Sequence, residues 1–336
     1  MSTSRQLQLA ARPVGEPKAS DFRLAQVPLP EAADGEFVVE VTHISVDPAM
    51  RGWMSAGPSY LPPVEIGEAM RALALGRVIA SRNEGFAEGD LVQGAFGVQD
   101  HAVSDGAGVF KIAPGNGTSL AAHLGVLGMT GMTAYFGLLD VGRPEDGDTV
   151  LVSGAAGAVG TTVGQIAKIK GARAVGIAGG AEKCAMLVDE LGFDAAIDYK
   201  AGDVADQLRE HTPDGVNVFF DNVGGDILDH GLTRLARHAR VVICGAISQY
   251  NATDRGRGPS NYMALLVQRA SMTGFLVFDN IARYPDAVAE MSSWLADGRL
   301  TSVEDTVTGD LEDFPGTLLR LFNGENTGKL VLELQR

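Results

Sequence analysis

Cysteine is scarce in this 336-residue chain: there are two, Cys184 and Cys244. Two thiols cannot build a four-cysteine zinc site. Long apolar runs are missing, so no segment reads as a transmembrane helix. The N-terminal stretch MSTSRQLQLAARPVG lacks the apolar core of a signal peptide, which with the low cysteine count predicts a reducing, cytoplasmic compartment. Positive charge is in deficit: 27 Lys and Arg stand against 42 Asp and Glu, a formal net charge of -15. Such a surface repels nucleic acid and anionic membranes, and neither is an expected partner. An anionic cofactor would need its own local basic patch. Internal repeats and low-complexity segments are also absent. What remains is ordinary globular composition, 45% hydrophobic and 21% charged, with enough length for two domains.

Up to about residue 125 the chain reads as short strands and turns. Glu36–Val46, Ala74–Ser81 and Asp90–Phe96 are candidate strands separated by Gly and Pro. From Thr149 the pattern alternates strand and helix. Candidate strands are Thr149–Ser153, Ala174–Ala178, Ala195–Asp198, Val216–Asp221, Arg240–Cys244 and Met272–Phe278, with helices such as Ala158–Lys170 and Glu182–Leu191 between them. This spacing predicts an α/β fold with a doubly wound parallel sheet. A helix over Tyr284–Asp297 and a closing strand-and-turn tail, ending in Gly328–Leu334, complete the chain. The polar, glycine-rich loop Asp254–Pro259 is expected to be mobile.

After the strand TVLVS, the turn reads Gly154-Ala155-Ala156-Gly157-Ala158-Val159-Gly160. Against G-x-G-x-x-G the first glycine is Ala155, with Gly154 beside it. Gly157 would let the backbone approach a pyrophosphate, Gly160 would let the helix pack on the strand, and the helix N-terminus would offer N–H groups to phosphate. The glycines alone are a weak signal; strand, helix and second strand around them make the dinucleotide reading the stronger one over a ligand-free turn. NAD-binding units place Asp or Glu at the end of the second strand to bind ribose hydroxyls. Here that strand ends in Gly179-Gly180, and Lys183 follows. No carboxylate repels a 2′-phosphate, so NADP(H) is favoured over NAD(H); Lys183 alone would read as a solvated helix lysine, but after the glycine pair contact with the 2′-phosphate is the preferred reading.

Val46-Asp47-Pro48-Ala49-Met50-Arg51-Gly52, Gly131–Gly137 (GMTAYFG), Ala155–Gly160, Phe220–Gly225 (FDNVGG), Cys244–Asn251 (CGAISQYN) and Gly324–Lys329 (GENTGK) follow in order along nearly the whole chain. On these segments the chain resembles the zinc-independent branch of the medium-chain dehydrogenase/reductase superfamily. Within it, the chain is similar to the leukotriene B4 12-hydroxydehydrogenase, prostaglandin reductase and curcumin reductase group of NADP-dependent alkenal/one oxidoreductases. The resemblance implies a GroES-like β-rich catalytic domain, residues 1–126 and 304–336, interrupted by a Rossmann NADP-binding domain, residues 127–303. It implies that Gly157, Ala158, Val159 and Gly160 hold the pyrophosphate, and that Lys183 and Tyr199 bind the 2′-phosphate. Asn222, then Cys244, Gly245, Ala246, Ile247, Ser248 and Tyr250, and also Phe275, Leu276 and Val277, would line the cofactor. Met129 and Thr133 match positions near the nicotinamide, and Asn326 would reach it from the other domain. Ala49 and Thr327 depart from bulkier residues common in the family, which bears on substrate preference.

Zinc alcohol dehydrogenases use Cys and His ligands in the first domain and a Gly-His-Glu motif. The comparable stretch here, Ile66-Gly67-Glu68-Ala69, has no His, and both cysteines lie beyond residue 126. His43, His101 and His123 stand in no ligand spacing and read as structural or surface residues. The Tyr-x-x-x-Lys device of short-chain dehydrogenases is missing too: Tyr199 is followed by Asp203 and Tyr250 by Asp254. Lacking both, the site suits an acceptor that needs less activation, an α,β-unsaturated ketone or aldehyde. Hydride goes to its β-carbon, hydrogen bonds stabilise the enolate, and the α-carbon is protonated. Tyr250 is the first candidate donor, with packing over the cofactor as the other reading. Tyr60 is the second, with a loop aromatic capping the core as its alternative; a solvent proton stays open. Arg51 either orients substrate or pairs with an acid across the domain boundary, the latter preferred. Two competing functions remain: an NADPH quinone reductase, and a non-catalytic NADPH-binding protein. The apolar edge segment Met272–Phe278 is either an internal strand or the seam of a homodimer; the resemblance favours the dimer.

Overall fold

The computed structural model describes residues 3–113, 118–254, 256 and 258–335. The chain divides into two compact units: Met1–Leu124 with Asp305–Asn326 and Leu330–Arg336, and Gly125–Glu304 with Thr327–Lys329. The first unit opens with an antiparallel pair, β1 (Thr3–Leu9) and β2 (Phe22–Pro28). In β3 (Phe37–Ser45), Phe37, Val39 and Val41 are fully buried, the period-two signature of a strand with one face on a core. After a short helix, α1 (Met50–Trp53), come β4 (Ala74–Ser81), β5 (Leu91–Gly94), β6 (His101–Ser104) and β7 (Phe110–Lys111). The chain returns here late with β14 (Glu304–Gly309), α9 (Phe314–Phe322) and β15 (Lys329–Leu334), giving the order β14-β15-β3-β4-β5-β7, with β6 paired to β3.

The tail was expected to be strand and turn only; α9 corrects this. Phe314, Leu318 and Leu321 bury one helical face, and Pro315 sits in the first turn, where its missing N–H costs nothing. Asp310 starts the approach by accepting the Leu311 N–H at 2.5 Å.

In the second unit, α2 (Met129–Phe136) leads into β8 (Thr149–Ser153), α3 (Ala158–Ile169), β9 (Arg173–Ala178), α4 (Ala181–Ala185), β10 (Ala195–Asp198), α5 (Val204–His211), β11 (Val216–Asp221), α6 (Gly225–Leu232), β12 (Leu235–Ile243), α7 (Met263–Gln268), β13 (Ser271–Gly274) and α8 (Tyr284–Ala296). Among the described residues six strands form one sheet in the order β10-β9-β8-β11-β12-β13, and the registers are parallel. All five residues of β8 are buried, as a strand covered on both faces requires. From β8 the chain moves outward through β9 to β10, then restarts at β11 on the other side. Right-handed crossovers running in opposite directions put their helices on opposite faces. The sheet is therefore doubly wound, and its strand order reverses between β8 and β11, the point at whose carboxyl ends such sheets bind ligands.

Three elements differ from expectation: β12 starts at Leu235 rather than Arg240, and two others change along their length. β13 stops at Gly274, opposite Ile243, and Val277–Arg283 winds into a 3-10 helix; an edge strand loses its pairing where its single neighbour ends. The helix expected over Glu182–Leu191 begins as α4 and widens into a π-turn over Met186–Glu190. In the loop Asp254–Pro259, Arg255 and Arg257 lie outside the described residues.

Candidate active site

The turn after β8 takes its left-handed residue at Gly154, φ 58°, one place before Ala155. Ala155 is fully buried, and its methyl fills the space beside Gly176, where an added Cβ would stand 2.8 Å from it. The missing first glycine is thus a packing residue. Gly157 caps α3 in extended backbone, with no side-chain cap, and Thr161 N–H donates to Gly157 O at 3.0 Å. The N–H groups of Ala158, Val159 and Gly160 have no acceptor within the helix and carry the positive end of its dipole. Gly160 is a steric necessity: a Cβ there would lie 2.4 Å from Gly154 O and 2.6 Å from Ala155 Cα. Gly328 N–H donates to Ala156 O at 2.7 Å and Gly157 bridges Gly328, so residues 327–329 run beside this loop.

The residues expected at the adenosine end lie beyond β9. Gly180 caps α4 at φ 102°, a conformation open to glycine. Lys183 is half-buried one turn on. The Tyr199 ring lies against Gly179, where a Cβ would meet it at 2.7 Å, and Lys200 Nζ stands 5.9 Å from the ring centroid. Asp198, which the sequence reading passed over, accepts the Gly180 N–H at 2.8 Å. The signal for it is an acid closing the third strand rather than the second. Burial and the nearby Asp198 push the Cys184 thiol up.

Between β8 and β11 the floor is a buried polar knot. The Asp221 carboxylate, fully buried, accepts from Ser153 Oγ (2.6 Å), Val223 N–H (3.1 Å) and Gly224 N–H (3.0 Å). Burial pushes its carboxyl up and these three bonds oppose the shift. Asn222 Nδ2 donates to Ser153 O at 2.7 Å, tying the two strand ends. Burial, then Asp221, pushes the Cys244 thiol up to about 12. Past β12, the Tyr250 hydroxyl accepts the Ala246 N–H at 3.2 Å and would lie 2.8 Å from a Cβ on Gly245. Residues 244–248 and Tyr250 therefore form one compact turn at the carboxyl edge of the sheet. On α2, Thr133 Oγ1 donates to Met129 O at 2.7 Å. Phe275 packs edge-on against Phe220 and fills the space over Gly137, with Leu276 and Val277 next along the chain.

Two family models match, an N-terminal domain of oxidoreductase over residues 5–112 and a zinc-binding dehydrogenase over residues 158–293. The chain is 45% identical over 99% of its length to a putative NADP-dependent oxidoreductase of Bacillus subtilis, covering 98% of that protein. It is 39% identical over 98% of its length to the NADPH-dependent curcumin reductase of Escherichia coli, covering 97% of it. The structure of Vibrio vulnificus CurA in complex with NADPH superposes with a TM-score of 0.93 at 44% identity over 99% of both chains. The chain belongs to the medium-chain dehydrogenase/reductase superfamily, in its curcumin, prostaglandin and alkenal reductase group.

This medium-chain dehydrogenase/reductase carries its other candidate residues in the first unit. Tyr60 is 51% exposed, and its hydroxyl accepts the Trp53 indole N–H at 3.2 Å. Asn326 is half-buried just before Thr327. Arg51 departs from the expected ion pair. The residue is 6% exposed, and its guanidinium donates to Gly15 O (3.1 Å), Pro13 O (3.1 Å) and Ser55 Oγ (2.8 Å). It pins the N-terminal segment to α1, so no carboxylate and no substrate is needed to explain it. His43 bonds Thr42 Oγ1 at 2.9 Å and His101 bonds Ser4 Oγ at 3.0 Å. Burial alone lowers the His123 pKa. Among the described residues, no three His, Cys, Asp or Glu side chains gather as metal ligands.

Proposed function

We propose that this chain is an NADPH-dependent reductase of the C=C bond of α,β-unsaturated ketones and aldehydes. The carrying observation is end-to-end similarity to enzymes of that chemistry: besides the curcumin reductase, the NADP(+)-dependent 2-alkenal reductase of Nicotiana tabacum is 37% identical over 99% of the chain and 98% of its own length. The site fits the cofactor. The Gly160 position has no room for a side chain, the α3 N-terminus offers uncapped N–H groups, and β9 is followed by glycines rather than an acid. Gly157, Ala158, Val159 and Gly160 hold the pyrophosphate; Lys183 and Tyr199 hold the 2′-phosphate. Asn222, the 244–250 turn, Phe275–Val277, Met129, Thr133 and Asn326 line the rest. Residues 1–126 and 304–336 serve as the catalytic domain and residues 127–303 as the cofactor domain.

Bound NADPH supplies a hydride from C4 to the substrate β-carbon. The chain's task is then to stabilise charge on the carbonyl oxygen. Tyr250 is suited to it: accepting the Ala246 N–H polarises its hydroxyl and strengthens it as a donor. Tyr60 is the second candidate donor. The α-carbon proton comes from one of these tyrosines or from solvent.

The enzyme acts as a homodimer in the cytoplasm. Supporting the dimer, β13 is the edge of its sheet among the described residues, and Tyr262, Met263, Leu266 and Val267 beside it are 50–70% exposed. Supporting the compartment, both cysteines are free thiols. A steady-state comparison of NADPH oxidation with a 2-alkenone and with a benzoquinone tests the function. Turnover of the enone is expected; turnover of quinone alone establishes the quinone reductase reading, and tight NADPH binding with no turnover establishes the non-catalytic one. The Pseudomonas syringae quinone oxidoreductase structure, 24% identical with a TM-score of 0.78, shares the fold alone. Light scattering at micromolar concentration tests the dimer, and a monomer mass refutes it.

A further inference from the structure

The wall of the adenosine end is built by an acid. Asp198 closes β10, and its Oδ1 accepts two backbone N–H groups, from Gly180 at 2.8 Å and from Lys200 at 2.9 Å. One side chain clamps the main chain of the same residue. Gln207 Oε1 accepts the Asp198 N–H at 3.1 Å, while Gln207 Nε2 donates to Asp198 O at 3.1 Å and to Ala201 O at 3.0 Å. Gln207 projects from α5, whose own start is fixed by Asp203 accepting from Ala205 N–H at 2.7 Å and Asp206 N–H at 3.2 Å. The turn 198–201 is therefore held from its strand, from its helix and from the neighbouring glycine pair.

The consequence is positional. One carboxylate oxygen joins the segment that begins α4 and carries Lys183 to the segment that carries Tyr199 and Lys200. The Tyr199 ring packs against Gly179, and both segments are anchored at that atom. At the end of β9 an acid would face the ribose and repel a 2′-phosphate. On β10 its Oδ1 accepts two N–H donors, which compensate part of its charge.

We infer that Asp198 is the positioning residue for 2′-phosphate recognition, setting the spacing between the Gly179–Lys183 wall and the Tyr199–Lys200 wall. This rests on the NADPH reading of the site. No hydroxyl of the ribose and no phosphate oxygen needs to touch Asp198; it acts through Gly180 and Lys200.

Calorimetry with two small probes isolates the effect: 2′,5′-ADP, which carries the 2′-phosphate, and 5′-AMP, which does not. Asp198→Ala is expected to weaken 2′,5′-ADP about tenfold and 5′-AMP by less than about twofold. Asp198→Asn keeps an oxygen able to accept both N–H groups, and is expected to stay within about threefold of the unsubstituted chain for 2′,5′-ADP. Gln207→Ala loosens the same turn while leaving the carboxylate in place, and is expected to reduce the preference for 2′,5′-ADP as Asp198→Ala does. Equal loss for both probes in Asp198→Ala, or no loss, overturns the inference; so does an Asp198→Asn variant as weak as Asp198→Ala. If the unsubstituted chain binds the two probes equally, it is the NADPH reading that fails.

Discussion

The two glycines of the nucleotide turn can be separated by experiment, because the structure gives them different reasons to be glycine. At Gly160 an added Cβ meets backbone atoms, Gly154 O at 2.4 Å and Ala155 Cα at 2.6 Å. Backbone cannot rotate away as a side chain can, so α3 must lift off β8. Overpacking of this kind costs roughly 3 kcal/mol at the upper end, and the gain in helix propensity from Gly to Ala returns roughly 1 kcal/mol. The net loss of about 2 kcal/mol lowers Tm by about 4–8 °C for a unit of this size. At Gly157 the nearest contact of an added Cβ is Gly154 O at 3.3 Å, and φ is -87°. Gly157→Ala should therefore leave Tm within about 1 °C, while its methyl stands where the pyrophosphate must approach and raises the NADPH Kd at least about tenfold. Differential scanning fluorimetry of the cofactor-free chain reads the first quantity and calorimetry with NADPH reads the second. A Gly157→Ala variant with unchanged NADPH affinity refutes the assigned role of that glycine. A Gly160→Ala variant with unchanged Tm refutes the steric argument.

Lys183→Ala should raise KM for NADPH at least about tenfold and leave KM for NADH within about twofold; equal effects on the two remove Lys183 from the phosphate. Tyr250→Phe deletes the acceptor of the Ala246 N–H, a bond worth about 1 kcal/mol, and lowers kcat by up to about 100-fold if the hydroxyl stabilises the enolate. A fall in Tm with unchanged kcat makes it a packing residue. The two thiols should resist iodoacetamide at pH 8 in the folded chain and both react once it is unfolded, since burial pushes Cys244 up to about 12 and Cys184 upward. The folded state keeps the Cys244 proton above pH 9, the ordinary thiol value, where the unfolded chain releases it. Stability should therefore fall as pH rises from 9 toward 12, and Cys244→Ala should flatten that slope by up to about 1.4 kcal/mol per pH unit; an identical slope in both chains contradicts the burial argument.

Legibility in the sequence followed burial. Thr149–Ser153 and Val216–Asp221 were readable to the residue because strands covered on both faces are largely apolar runs bounded by turns, and the short edge strand Ala195–Asp198 was readable from the helices and turns around it. β1 was not readable. Its sequence, TSRQLQL, is mostly polar, and long-range bonds such as Leu7 N–H to Val98 O (2.9 Å) and Leu9 N–H to Glu68 O (3.0 Å) hold it. α9 was masked by the strands around it. At the site, the glycine turn was legible as local backbone chemistry; Lys183 is proposed from the glycine pair before it, and Tyr199 from the resemblance. Asp198 was missed because the dinucleotide template looks for an acid on the second strand. Arg51 was misjudged because its partners are two carbonyls and a serine hydroxyl, which leave no trace in charge patterning.

A chain of net charge -15 that takes a polyanionic cofactor must divide the work of holding it. From Thr149 to Ala167 there is no charged residue, so in the proposed site the pyrophosphate end depends on backbone N–H groups and the α3 dipole, which hold phosphate by directed bonds at short range. The cations of the proposed site, Lys183 and Lys200, stand at its adenosine end. Salt should discriminate between the two ends. Near 0.15 M the Debye length is already about 8 Å, so the diffuse acidity of the surface is screened and further salt acts mainly on the nearest charges. Raising ionic strength from about 0.15 to 0.6 M should then weaken NADPH more than NADH, narrowing the ratio of their Kd values, and Lys183→Ala should make that ratio nearly independent of salt. If NADPH and NADH respond to salt in parallel, the 2′-phosphate is held by neutral donors and the assignment of Lys183 falls. If the ratio narrows but survives Lys183→Ala undiminished, Lys200 carries the charge instead, and the turn that Asp198 anchors becomes the principal phosphate contact.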